Sequence, residues 1–102
     1  MAEPYVVRWT SPAAKDLKEI VDFIEKDSTE TARSVATKLF NSANSLDLMP
    51  NRGRPGRVKG TRELIVPGLP YLIVYRVVAS AVHILRIYHG ARNRPASISD
   101  VQ

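Results

Sequence analysis

The sequence predicts an α+β fold in which a helical hairpin covers one face of an antiparallel sheet. One β-branched run and two amphipathic segments fill the N-terminal half, and three strand patterns separated by short turns fill the C-terminal half. Turns this short join antiparallel neighbours, so the last three strands should form a meander. The 102 residues suit one domain with a single modest core, residues 1–102, and the polar tail from about residue 93 should fray.

The first two elements are a strand and a helix. Aromatic and β-branched residues at positions 5–9 predict the strand. Ser11 and Pro12 then signal a helix start, because serine caps helices and proline suits the first helical position. Apolar residues recur at helical spacing to about Lys26, while charged residues, including Asp16, occupy the other side.

A second helix should begin near Asp27 or Ser28. Asp27 and Glu30 stand three residues apart, which resembles a capping box. The apolar pattern continues to Leu46, and the helix should stop before Pro50, because the residue before a proline avoids helical backbone angles. The two helices therefore form a hairpin with a connection of two or three residues.

The segment 50–60 is predicted to be a loop without any regular element, because two prolines and three glycines stand among four basic residues. Strands are expected at 61–66, 71–77 and 81–89. Strict alternation along the last strand would place one set of side chains on one face and the intervening set on the other. The first set is Val82, Ile84, Arg86 and Tyr88. The second set is His83, Leu85, Ile87 and His89.

The charge of the chain is divided between its halves. Residues 51–102 carry nine Lys/Arg against two acidic residues, a net charge of +7, whereas residues 1–50 carry six against eight, a net charge of −2. Concentrated positive charge favours binding to a polyanion, since phosphate contacts supply most of the affinity for nucleic acid. The alternative is an ordinary solvated basic face.

Several classes of protein are excluded by what the sequence lacks. There is no cysteine, so disulfides, thiolate metal sites and cysteine nucleophiles are ruled out, and no cofactor or metal is expected. No apolar run approaches the roughly 18 residues that span a bilayer, and no basic segment followed by an apolar one begins the chain. A cytoplasmic protein without a membrane partner is therefore expected. Nucleotide-binding and hydrolase motifs are also missing.

The ordered set of motifs resembles the RelE/ParE superfamily, the toxins of type II toxin–antitoxin modules that are often called plasmid stabilisation proteins. The segments that carry the likeness are SPAAKDLKEIVDFI, a basic GRPGR loop, REL, PYLIVYRV and ILRIYHGAR. The likeness runs from Tyr5 to about Arg94. It implies a RelE/ParE-like toxin fold, a cognate antitoxin whose acidic extended segment wraps the toxin, and an open sheet face that meets the target.

The resemblance implies one of two targets. RelE-like members cut messenger RNA on the ribosome, and ParE-like members inhibit DNA gyrase without a catalytic constellation. Cutting RNA without a metal needs a base, an acid and cations for the phosphorane charge. His89 is the candidate base, since imidazole titrates near neutrality. Arg92 matches a catalytic-arginine position of RelE-like proteins, and Arg62 opens a strand that should face the same region.

The sequence departs from the RelE-like pattern at two positions that concern RNA cleavage. Leu72 stands where an arginine often follows the first tyrosine of the third-strand pattern, and no tyrosine follows Arg92. We take the ribosome-dependent endoribonuclease as the first interpretation and the gyrase inhibitor as the alternative. A non-catalytic RNA-binding module is a second alternative, which explains the charge but not the ordered motifs.

Other residues are candidates for contact with nucleic acid or another target. Basic side chains in a Gly/Pro loop can follow a phosphate backbone, and a tyrosine can stack on a base. The candidates are Arg54, Arg57, Lys59, Arg76, Arg86 and Tyr88. Each also has a structural interpretation: the loop cations could simply be solvated, Tyr88 could be part of the core, and His89 could be a structural histidine at the sheet edge. Arg76 and Arg86 could pair with the acidic antitoxin segment or remain solvated.

Overall fold

The computed structural model of the chain describes residues 3–90. Its strands are β1 (Val6–Trp9), β2 (Arg54–Pro55), β3 (Arg62–Ile65), β4 (Tyr71–Val78) and β5 (Ala81–His89), and its helices are α1 (Ser11–Glu25) and α2 (Thr29–Asn44). A short 3₁₀ helix, Ser45–Asp47, follows α2. The α+β class, the helical hairpin and the β3–β4–β5 meander predicted from the sequence are confirmed.

Side-chain caps begin both helices. The Thr10 hydroxyl accepts a hydrogen bond from the Ala13 amide, so the cap lies one residue before the predicted Ser11. The Ser28 hydroxyl caps α2 by accepting from the Thr31 amide. Thr10 also donates to the Ile84 carbonyl at 2.7 Å. The cap of α1 is thus attached to β5, which fixes where the hairpin leaves the sheet.

The sheet has the strand order β1-β5-β4-β3-β2. β4 lies antiparallel to both β3 and β5, as predicted, but β1 lies parallel to β5, so the sheet is mixed rather than wholly antiparallel. β2 pairs with β3 through Arg54 and Glu63. The prediction that segment 50–60 contains no regular element was therefore wrong, because two of its residues form an edge strand.

The main core lies between the sheet and the two helices. Its fully buried side chains include Leu39 of α2, Ile73 and Tyr75 of β4, and Ile84 of β5. Leu72 and Val74 alternate with Ile73 and Tyr75 along β4 and therefore point to the opposite face, where they form a second, smaller cluster. Within the described residues, neither helix is long and apolar enough to cross a membrane.

Candidate functional site: the sheet face opposite the helices

A β-bulge determines which side chains of β5 reach the face opposite the helices. Val74 is paired with Arg86 and the next residue, Tyr75, with Ile84, so Leu85 has no partner in β4. The alternation changes phase at this point. Ile84 and Ile87 both belong to the main core, whereas Leu85 joins the second cluster. The predicted alternation is right through Leu85, but the predictions that Arg86 shares a face with Ile84 and that Ile87 shares a face with Leu85 were wrong for this reason.

The face opposite the helices has an apolar centre. Leu72, Val74 and Leu85 are 3–6% exposed, and the half-buried ring of Tyr88 packs against them. Ile65 on the neighbouring strand is 55% exposed. We call these five residues the apolar patch. Arg76 and Arg86, on the same strands, border it.

Asp16 holds the end of β5 from the side of α1. Its carboxylate accepts from Arg86 Nε at 2.6 Å, from Arg86 Nη2 at 3.0 Å and from the Ile87 amide at 2.9 Å. β1 pairs with β5 only as far as Ile84, so this carboxylate takes the place of a neighbouring strand at Ile87. The hydrogen bond to Asp16 is also the main cause that raises the pKa of Arg86.

The ion pair fixes Arg86 against Tyr88. The guanidinium carbon lies 5.0 Å from the centre of the Tyr88 ring, which is the geometry of a cation–π contact. Arg86 was expected to pair with an antitoxin segment or to remain solvated; within the toxin itself it forms an ion pair with Asp16. Asp16 was assigned to the polar side of its helix, yet it is 9% exposed. Asp16 stands three residues after Ala13 and four before Ile20, which both face inward. This spacing was the sequence signal that Asp16 also faces inward.

His89 lies at the end of β5, opposite Tyr71 in register. The two rings meet edge to face, with their centres 5.8 Å apart. His89 contributes to two surface clefts. One lies beside α1 and includes Phe23, and the other runs toward the edge strand and includes Arg54. Of the predicted site residues, the structure therefore brings His89 together with Tyr88 in the first cleft and with Arg54 in the second.

Arg62 is placed away from His89. It is opposite Tyr75 on β4, whereas His89 is opposite Tyr71, so the two sites differ by four residues, about 13 Å, along the strand direction. Its guanidinium donates to the Gly53 carbonyl at 2.7 Å and to the Asn51 carbonyl at 3.3 Å. Arg62 thus supports the basic loop. Arg92 lies outside the described residues.

The basic loop, residues 50–60, is folded over a buried acid. Glu63 is 6% exposed and accepts from Arg54 Nη2 at 3.4 Å and from the Arg57 amide at 3.3 Å. The side chains of Arg57 and Lys59 are exposed, and Arg76 lies beside Gly60. Sequence reasoning missed Glu63, although it is the sole acidic residue between Leu48 and Ser99. Within residues 3–90, no three His, Asp or Glu side chains gather as a metal site requires.

Comparisons with known proteins decide the family. A family model described as the ParE toxin of the type II toxin–antitoxin system parDE matches residues 7–94 of the chain. The chain belongs to this toxin family. It is a type II toxin–antitoxin toxin of the RelE/ParE superfamily, as the sequence motifs predicted.

Individual relatives of similar sequence are named as toxins. The chain is 39% identical over 89 residues to the putative toxin Y4kP of Sinorhizobium fredii, covering 87% of this chain and 92% of that protein. It is 41% identical over 86 residues to toxin RelE2 of Caulobacter vibrioides, covering 84% and 96%. Both named toxins are therefore similar to the chain over most of their length.

Two solved structures share the fold. The chromosomal ParDE system of P. aeruginosa superposes with a TM-score of 0.78 at 28% identity, covering 86% of this chain and 98% of that one. The RelBE2 toxin–antitoxin complex of Mycobacterium tuberculosis gives 0.66 at 26% identity, covering 90% and 98%. Both are toxin–antitoxin systems, one named ParDE and the other RelBE2.

Proposed function

We propose that this toxin stops growth in the ParE manner, by binding DNA gyrase through the sheet face opposite the helices. The observation that carries the proposal is the apolar patch bordered by arginines. Aromatic and arginine side chains around an apolar centre are typical of the residues that dominate protein–protein affinity. Tyr88 and Arg86, held together by Asp16, would be the anchors.

The same face is poorly suited to cutting RNA. A metal-free nuclease needs cations around the scissile phosphate to stabilise the phosphorane. Here the middle of the face is apolar and is formed by Leu72, Val74 and Leu85. Arg62 is turned to loop carbonyls instead. The family description and the superposition on a ParDE system also support the ParE branch.

A cognate antitoxin would neutralise the toxin. Both matched structures are of toxin–antitoxin systems, and the C-terminal half of this chain has a net charge of +7. An acidic extended segment would suit that charge, since complementary potentials speed association and select partners. Both toxin and antitoxin would act in the cytoplasm, where the proposed target operates.

The second candidate is a RelE-like ribosome-dependent endoribonuclease, and one observation favours it. His89 and Arg54 line the same cleft, so a base and a cation could meet one phosphate there. In this candidate Arg92 would supply further positive charge. Relatives named RelE are similar over most of their length.

A catalytic double variant separates the two candidates in cells. The His89→Ala/Arg92→Ala variant is expected to keep most of its toxicity, because a gyrase inhibitor needs neither a base nor a phosphorane-stabilising arginine. A nuclease would lose about 10²-fold or more from each change. The measurement is the survival of induced cells without antitoxin, with soluble folded protein verified by circular dichroism. Loss of killing by this folded variant, together with loss of codon-phased mRNA cuts made by the wild type, would contradict the proposal.

A further inference from the structure

A buried hydroxyl group, that of Tyr75, binds the basic loop from within the core. Tyr75 is 0% exposed within β4, and its hydroxyl accepts from the Gly53 amide at 2.8 Å and donates to the Pro50 carbonyl at 2.8 Å. The same burial raises the pKa of Tyr75, so the hydroxyl keeps its proton for donation. Both bonds reach more than 20 positions back along the chain, and they connect the loop directly to the centre of the sheet.

Gly53 allows this close approach. A Cβ at position 53 would lie 2.7 Å from the Tyr75 hydroxyl oxygen and 2.9 Å from the Glu63 carbonyl oxygen, which no side chain tolerates. The Gly53 carbonyl accepts from Arg62 at 2.7 Å. Both backbone polar groups of Gly53 are therefore held by side chains of the sheet. A segment rich in glycine and proline is thus fixed at its middle.

Glu63, the one acidic residue between Leu48 and Ser99 in the sequence, is buried. Its buried carboxylate receives Arg54 and the Arg57 amide, so it adds no negative charge to the outer surface of the loop. Arg54, Arg57 and Lys59 remain on that surface, with Arg76 beside Gly60. Such a cationic surface is suited to the phosphates of a nucleic acid.

We propose that the Tyr75 hydroxyl is a positioning group that holds the basic loop in one conformation, and that the held loop contacts the phosphates of double-stranded DNA. The choice of DNA rests on the proposed function, since gyrase holds duplex DNA. The role of Tyr75 does not depend on the target. A loop that is already ordered loses less entropy on binding than a mobile one.

The conservative variant Tyr75→Phe removes both hydrogen bonds and keeps the buried ring. Amide hydrogen exchange at residues 51–60 is expected to become about tenfold faster or more, because the loop can then open locally, while the amides of β4 and β5 keep their protection. Tyr71→Phe is the matched control, since Tyr71 belongs to the same strand and lies opposite His89, four residues from Tyr75. Unchanged loop exchange in Tyr75→Phe, or equal acceleration in every strand, would overturn the positioning role.

Binding to a 24-base-pair DNA duplex, measured at several salt concentrations, tests the phosphate contact. Tyr75→Phe should weaken binding several-fold with an unchanged salt slope, because every cation is still present. The Arg54→Gln/Arg57→Gln/Lys59→Gln variant should lower the slope by roughly 0.9 for each phosphate that its side chains no longer neutralise. The phosphate contact would be overturned if the triple variant bound DNA with the affinity and the salt slope of the wild type. It would also be overturned if the wild-type toxin bound RNA of the same length more tightly than DNA. Gyrase inhibition is measured in parallel and tests the proposed function separately. The loop–DNA contact and the inhibition of gyrase can therefore each fail alone.

Discussion

Asp16→Ala is expected to lower the free energy of unfolding by about 3 kcal/mol. The change removes the carboxylate and leaves the Arg86 guanidinium partly buried without its ion-pair partner, which is among the costliest changes in a core. It also leaves the Ile87 amide at the sheet edge without its acceptor. Urea denaturation followed by circular dichroism measures the loss.

Asp22→Ala is the matched control for that prediction. Asp22 belongs to the same helix and forms an ion pair of 2.7 Å with Lys18, but both side chains are at least half exposed. Exposed pairs contribute little, so this change should cost no more than about 0.5 kcal/mol. If Asp16→Ala is no more destabilising than Asp22→Ala, the ion pair does not hold β5 in place.

Tyr88→Ala should weaken inhibition of the target by about 30-fold or more. Tyr88 is the aromatic side chain of the apolar patch, and truncating a central aromatic anchor of an interface typically costs at least about 2 kcal/mol of binding. The measurement is the toxin concentration that inhibits half of the supercoiling by purified gyrase.

The control for Tyr88 is an aromatic residue elsewhere on the surface. Phe40 is 49% exposed on α2 and stacks on Trp9, on the helical side of the molecule. Phe40→Ala should leave inhibition within about twofold of the wild type when the protein is folded. Equal losses from Phe40→Ala and Tyr88→Ala would mean that the sheet face is not the binding surface.

The elements that could be predicted from sequence are those specified by near neighbours. Capping side chains, helical spacing and Gly/Pro turns act within a few residues, so both helices and the meander were predicted in the right order. The parallel pairing of β1 with β5 joins residues more than 70 positions apart. Nothing local in either segment specifies that partner.

The faces of β5 show how one long-range feature changes a site. A single unpaired residue, Leu85, shifts the alternation, so the side chains after it exchange faces. The effect places Tyr88 in the apolar patch and Ile87 in the main core. The adjacent apolar residues Ile84 and Leu85 interrupt the apolar–polar alternation at this point, and the bulge depends on how β5 is paired with β4.

The candidate site was predicted in part. His89, Arg54 and Tyr88 all lie around the end of the sheet, whereas Arg62 supports the loop from the other end of β3. Asp16 was assigned to a helix surface, and no contact between Tyr75 and the loop was predicted. Their connecting roles depend on partners 71 and 22 positions away, so only the folded chain reveals them.

The target is tested most directly with purified components. The toxin is incubated with gyrase, supercoiled plasmid and ATP, the reaction is stopped with detergent and protease, and linear DNA is measured on a gel. A translating ribosome with a defined message is treated with the same toxin and examined by primer extension. We predict that linear DNA accumulates and that the message stays whole. Codon-phased cuts in the message with no linear DNA would contradict the gyrase proposal and establish the ribonuclease.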